Sequence, residues 1–124
     1  MKLTIKGKAL LLALTLIDLL SYSREDASAE CGGLTITKSA VLNACGEIGI
    51  QHVALTRSAE WVAARRTEKL MLEHNPNLAD TTFNVDYLFG GDGRISENRH
   101  RFFKAVGDGE LTHLLARPPV AAVA

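Results

Sequence analysis

The sequence predicts a small, mainly helical domain with one β-hairpin, and three observations support this prediction. The chain has 124 residues, only three prolines and 47% hydrophobic residues. Aromatic residues make up just 6%, so aliphatic side chains and alanine, which favour helices, must fill the core. Apolar residues recur at helical spacing in several segments, while clear alternation occurs once. We expect residues 1–117 to form one globular domain and residues 118–124 (PPVAAVA) a flexible tail.

The N-terminal segment has two interpretations. Three lysines within residues 2–8 precede an apolar run over residues 9–17, and Ala-Ser-Ala at 27–29 fits a cleavage site, as in a secretory signal peptide. Against this, Asp18 interrupts the run, which is too short to span a bilayer. The second interpretation is a buried first helix. A helix this apolar would form the centre of the domain or the contact surface of a homodimer.

The expected state of the two cysteines, Cys31 and Cys45, depends on which interpretation of the N-terminal segment holds. In a cytoplasmic protein, which is our first expectation, they would be free thiols. In a secreted or periplasmic protein cleaved after residue 29 they would form one disulfide. Between them, Gly32-Gly33 break regular structure, and residues 34–36 predict a brief strand whose partner would come from a later hairpin.

Residues 37–74 predict two helices separated by a glycine turn. Ser39 is the expected N-cap of a helix over residues 40–48, and Gly49 can adopt the left-handed conformation that ends it. Thr56 is the expected N-cap of a longer helix over residues 57–74. In that helix an apolar stripe is expected along one face, with Trp61 in the core and the arginines facing solvent. The face carries Ala59, Val62, Ala63, Arg66 and Leu70, with Trp61 and Leu72 adjacent.

This arrangement resembles a helix-turn-helix, in which a helix after a tight turn reads DNA. With Gly49 as the turn glycine, small or apolar residues stand at the expected offsets; these are Cys45, Ile48, Ile50 and Leu55. Ser58 departs from the pattern, because an apolar residue usually packs at that position. The sequence therefore predicts a helix-turn-helix with one mismatch.

Basic residues form two clusters although the net charge is zero. Residues 57–69 carry a net charge of +2, and residues 94–104 carry +3. Such clusters can neutralise phosphates, and the first turns of the second helix can reach base edges. The predicted DNA contacts are Gln51, His52, Thr56, Arg57, Ser58, Arg65, Arg66 and Lys69, with Arg94, Arg99 and Arg101 from the second cluster.

The second half of the chain predicts a hairpin and two more helices. Residues 83–89 show the clearest strand alternation, GGDG at 90–93 forces a reversal, and Arg94-Ile95 form a short return strand. A hairpin here would make the fold a winged helix, with Arg94 near the tip of the wing. Helices are expected over residues 97–106 and 110–116, with Phe102, Phe103 and Val106 packed inward.

The sequence contains fragments of metal-binding motifs, and none of them is complete. Glu-x-x-His occurs at 97–100 and 110–113, but a di-iron site needs long facing helices and two further glutamates. The GDGRIS segment lacks the oxygen ligands of a calcium loop, and no metalloprotease or nucleophile motif is present. We expect no cofactor, no metal and no enzymatic activity.

These observations predict a small DNA-binding transcriptional regulator of bacterial or phage type, with duplex DNA as its partner and a homodimer formed through the N-terminal helix. The alternative is a protein-binding inhibitor or adaptor without enzymatic activity. A second alternative is a small secreted helical protein with one disulfide. No membrane span is expected in any of the three.

Overall fold

The computed structural model describes residues 5–56, 59–75 and 97–116. In chain order its elements are α1 (Ile5–Ser21), β1 (Ser28–Cys31), β2 (Leu34–Thr37), α2 (Lys38–Glu47), α3 (Val53–Thr56), α4 (Ala59–His74), α5 (Glu97–Gly107) and α6 (Glu110–Ala116). The described chain is therefore mainly helical with an antiparallel hairpin. The predicted wing at 83–95 and the tail at 118–124 lie outside the described residues, as do Arg57 and Ser58.

Helix α1 lies at the centre of the core. Helices α2, α4 and α5 and strand β1 all pack against it. Among the side chains of α1 that the structure describes, Thr15 is the only buried polar one. Its hydroxyl donates to the carbonyl of Leu11 at 2.7 Å, so this group is satisfied. In the structure α1 is thus a buried helix covered by other elements of the same chain, and a homodimer through α1 stays a prediction. The buried side chains of α1 are Leu10, Ala13, Leu14, Thr15, Leu16, Ile17, Leu19 and Leu20.

Strands β1 and β2 form a two-residue hairpin. Ala29 lies opposite Ile36, and Ile36 is buried in the core. Gly32 and Gly33 have φ angles of +59° and +83°, the left-handed values that a primed hairpin turn requires at both positions. The expected partner of β2 was therefore wrong. The two glycines reverse the chain at once, so β2 pairs with the strand before it.

Helix α2 starts directly at the end of β2. The Thr37 hydroxyl accepts the backbone N–H of Ala40 at 3.1 Å, so Thr37 caps the helix instead of Ser39. At the other end the N–H of Ile50 donates to the carbonyl of Cys45 at 2.8 Å, and Gly49 has a φ of +74°. The predicted left-handed glycine at the end of α2 is confirmed.

Helix α4 packs with a different face from the predicted one. Thr56 belongs to α3 and does not cap the longer helix, which is described from Ala59 onward. The predicted face was wrong for four of its five members, because only Val62 is buried while Ala59, Ala63, Arg66 and Leu70 are exposed. The residues expected beside it, Trp61 and Leu72, do lie on the inner side. The inner face of α4 is formed by Trp61, Val62, Arg65, Glu68 and Leu72.

Helices α5 and α6 close the core as predicted. Phe102 and Phe103 are buried and meet edge to face, with ring centroids 5.9 Å apart. Val106 and Leu111 are buried beside them. Among the helices that the structure describes, none combines the length and the apolar character needed to cross a membrane.

Candidate functional site

The two predicted basic clusters meet at Trp61, inside the protein. The guanidinium carbon of Arg65 lies 5.0 Å from the centroid of the Trp61 ring, and that of Arg99 lies 4.3 Å from it. Arg65 is only 3% exposed and Arg99 only 7%. The expectation that Arg65 faces solvent was therefore wrong, and Arg99 is buried as well. Their cations stack against the Trp61 indole, which joins α4 to α5.

A carboxylate on the same helix explains why Arg65 can be buried. Its Nη2 lies 2.5 Å from Oε1 of Glu68, three residues later on α4, and both side chains are buried. Each charged group takes the place of water that the other loses on burial, so burying the pair costs less free energy than burying either charge alone. Burial raises the pKa of Glu68, and this effect outweighs the opposing attraction of Arg65. Arg65 and Glu68 therefore serve the packing of α4.

Asp18 holds the next two basic residues against α1. Arg66 donates to the Asp18 carboxylate and, at 2.8 Å, to the hydroxyl of Ser21. Its guanidinium also stacks on Tyr22, 5.4 Å from the ring centroid. Lys69 Nζ lies 3.8 Å from the other Asp18 oxygen. The acidic residue that interrupts the apolar run of α1 therefore neutralises two of the cations predicted to contact DNA.

The Gly49 turn is bound by α5. Arg101 donates to the carbonyl of Ile48 and, at 3.0 Å, to that of Gly49. The Asn98 side-chain oxygen accepts the backbone N–H of Gln51 at 3.0 Å. Arg101 thus caps the C-terminus of α2, where a cation is favoured by the helix dipole. Nothing in the sequence points to Asn98, since a pair 47 residues apart carries no local signal.

The structure brings only part of the predicted DNA surface together. Gln51 lies beside Arg101, which remains exposed, and His52 and Thr56 are half-buried nearby in the chain. Helix α4 packs mainly on α1, whereas α2 packs on both α1 and α6, and α2 and α4 have no extensive contact with each other. Arg57, Ser58 and Arg94 lie outside the described residues.

The solvent-facing side of α4 is the candidate functional site. Leu70 is 55% exposed and Met71 is 47% exposed, although both stand on a helix that buries an arginine and a glutamate. The Thr67 hydroxyl donates to the carbonyl of Ala63 at 3.1 Å, so its polar group is satisfied within the helix. We call this surface the outer face of α4; it consists of Ala59, Ala63, Thr67, Leu70, Met71 and His74.

The outer face is suited to contact and not to chemistry. It contains no lysine, arginine, carboxylate or thiol. Elsewhere in the described part of the chain, no group of three or more His, Cys, Asp or Glu side chains could hold a metal ion. The thiols of Cys31 and Cys45 are free, and burial raises the pKa of both, that of Cys45 to about 11. Neither thiol is therefore an activated nucleophile.

Comparison with known proteins identifies no relative of this chain. The chain matches no protein-family model, no curated protein and no solved structure. Its function must therefore be argued from the geometry of its own residues.

Proposed function

We propose that this protein is a non-enzymatic protein-binding module that docks a partner on the outer face of α4. One observation carries the proposal: Leu70 and Met71 are exposed on a helix whose inner face holds Arg65 and Glu68. A surface helix normally turns its apolar residues to the core and its charges to water. Apolar side chains that remain together on the outside are typical of an interaction surface.

The placement of the cations supports a protein partner over DNA. Arg65 and Arg99 are buried against Trp61, and Arg66 is held by Asp18. Binding to phosphates would require these residues to give up contacts that hold α4 on α1 and α5. The outer face of α4 needs no such rearrangement, because Leu70 and Met71 are already about half exposed.

A selection experiment tests the docking function. Helical peptides would be selected from a display library against the full chain, and their affinity measured with Leu70→Ser and Met71→Ser variants. We expect each substitution to weaken binding at least fivefold, as for an apolar residue at the centre of an interface. Val53→Ser is the matched control, since Val53 is 59% exposed but lies on α3. Selected peptides that bind the Leu70→Ser and Met71→Ser variants as tightly as the original chain would contradict the proposal.

A DNA-binding regulator is the second candidate, with a helix-turn-helix centred on Gly49 and a wing at 83–95. The observation that favours it is the exposed basic side of α5, where Arg101 stands between Gln51 and Lys104. Fluorescence anisotropy with duplex DNA at low salt tests it, and Lys104→Ala should weaken binding and reduce its salt dependence. Lys104 is the residue to change, because Arg101→Ala would also uncap α2. Absence of binding at low salt would eliminate this candidate.

A cytoplasmic location is part of both candidates. Its support is the free state of Cys31 and Cys45, which is typical of a reducing compartment. Mass spectrometry of the purified native protein, with and without thiol alkylation, tests it. A bridged pair, or loss of residues 1–29, would favour the secreted alternative.

A further inference from the structure

The charges beside the outer face of α4 indicate what kind of helix would bind there; this inference rests on the proposed function. Glu60 and Glu73 are exposed and lie at opposite ends and opposite edges of the face. Within residues 5–56, 59–75 and 97–116, neither carboxylate has an ion-pair partner. As far as the described residues go, both carboxylates are therefore open to an incoming molecule.

No cation on α4 balances these two carboxylates. Arg66 is near Glu73 around the helix, but its guanidinium is directed to Asp18 and Ser21 on α1. Lys69 is also directed to Asp18 and is mostly covered. The outer face is thus an apolar stripe with an acidic rim, although the whole chain has no net charge.

We propose that the occupant of the outer face is a basic amphipathic helix of another protein. Its apolar stripe would cover Leu70 and Met71, and lysines or arginines beside that stripe would pair with Glu60 and Glu73. Helix α4 has 16 residues and is about 24 Å long, which gives a partner helix more than four turns of contact. The small side chains of Ala59 and Ala63 allow the two helix axes to approach closely.

The same charges exclude two other occupants. A second copy of the chain would bring the same two carboxylates to the interface. The described residues of its α4 would bring no spare cation, since Arg66 and Lys69 are already held by Asp18. Nucleic acid would bring phosphates to an acidic rim, and like charges across an interface are repulsive. Only a cationic partner matches both the stripe and the rim.

Two synthetic peptides test the charge of the partner. Both have the length of α4 and the same leucine stripe, but one carries lysines beside the stripe and the other glutamates. Calorimetry with the full chain at low salt should show the lysine peptide binding roughly tenfold more tightly, as expected for two rim attractions in place of two repulsions. The difference in affinity between the two peptides should shrink as salt is added.

Charge reversal on the protein completes the test. In the Glu60→Lys, Glu73→Lys double variant the preference should invert, while Leu70→Ser should weaken both peptides. Equal binding of the two peptides, with both sensitive to Leu70→Ser, would overturn the basic partner and leave the docking face intact. Binding of neither peptide at a site that depends on Leu70 would overturn both. A dimer in sedimentation that dissociates on Leu70→Ser would assign the face to a second copy and also overturn this inference.

Discussion

The substitution Leu14→Ala measures how far the fold depends on α1. Leu14 is 0% exposed and belongs to the cluster of buried side chains around α1. Truncation to alanine removes its contacts and leaves a cavity, which in a closely packed core costs about 3–5 kcal/mol. Leu70→Ala makes the same chemical change at a position that is 55% exposed, and should cost less than about 0.5 kcal/mol. Because both substitutions change leucine to alanine, the difference between their losses of unfolding free energy measures the effect of burial.

Urea unfolding of the full chain, followed by circular dichroism, gives the free energy of unfolding for each variant. A domain of this size has only about 5–15 kcal/mol of stability, so Leu14→Ala leaves little margin. Ile17→Val, at a second fully buried position of α1, should cost about 1 kcal/mol and keep the chain folded for measurement. If Leu14→Ala cost no more than Leu70→Ala, α1 would not be packed in the core, and the signal-peptide interpretation would gain support.

Three further substitutions test the contacts that hold the basic residues. Asp18→Asn should lower stability by about 1 kcal/mol, and less at high salt, because it removes the charge that faces the partly exposed Arg66. Arg101→Met should lower the melting temperature through a loss of about 1–2 kcal/mol, because the carbonyls at the Gly49 turn lose their donor. Burial raises the pKa of Glu68, so the folded state binds this proton more tightly than the unfolded state does. Stability should then fall as pH rises from the ordinary glutamate pKa through the raised value, and Glu68→Gln should remove this part of the slope.

Each of these tests has a matched control. Asp26→Asn breaks a highly exposed ion pair with Arg24, so it should leave stability unchanged; an equal loss at Asp18 and Asp26 would contradict the role of Asp18. Lys104→Met removes an exposed charge of α5 that makes no cap, and it should not lower the melting temperature. Unchanged pH dependence in Glu68→Gln would show that Glu68 titrates alike in the folded and unfolded states.

The sequence predicted elements better than it predicted which way they face. Apolar spacing located α1, α5 and α6 well, because their buried residues are simply hydrophobic. It failed on α4, since counting apolar residues cannot show that Arg65 and Glu68 neutralise each other one turn apart. Arg65 also packs on Trp61, whose ring is contacted by Arg99 of the distant helix α5.

The early hairpin is a different kind of miss, because its signal is present in the sequence. Gly32 and Gly33 stand between two short segments that can pair, which is the pattern of a two-residue hairpin. The contact between Asn98 and Gln51 had no such signal. The contacts of the basic residues were missed for the same reason. They were grouped by charge along the chain, whereas Asp18, which holds Arg66 and Lys69, lies in α1, and Arg99 reaches Trp61 from a different helix.

Helix α1 lies in the middle of the core but precedes in the chain the helices that cover it, and this order has a consequence for synthesis. The ribosome makes α1 before these helices, and one of them, α5, ends only at Gly107. At ordinary elongation rates, roughly 5–15 s pass between the two. During that interval the nascent chain exposes a surface that chaperones recognise and that promotes aggregation. A translation arrest before Gly107 should therefore leave the released fragment insoluble, even though its first four helices are complete.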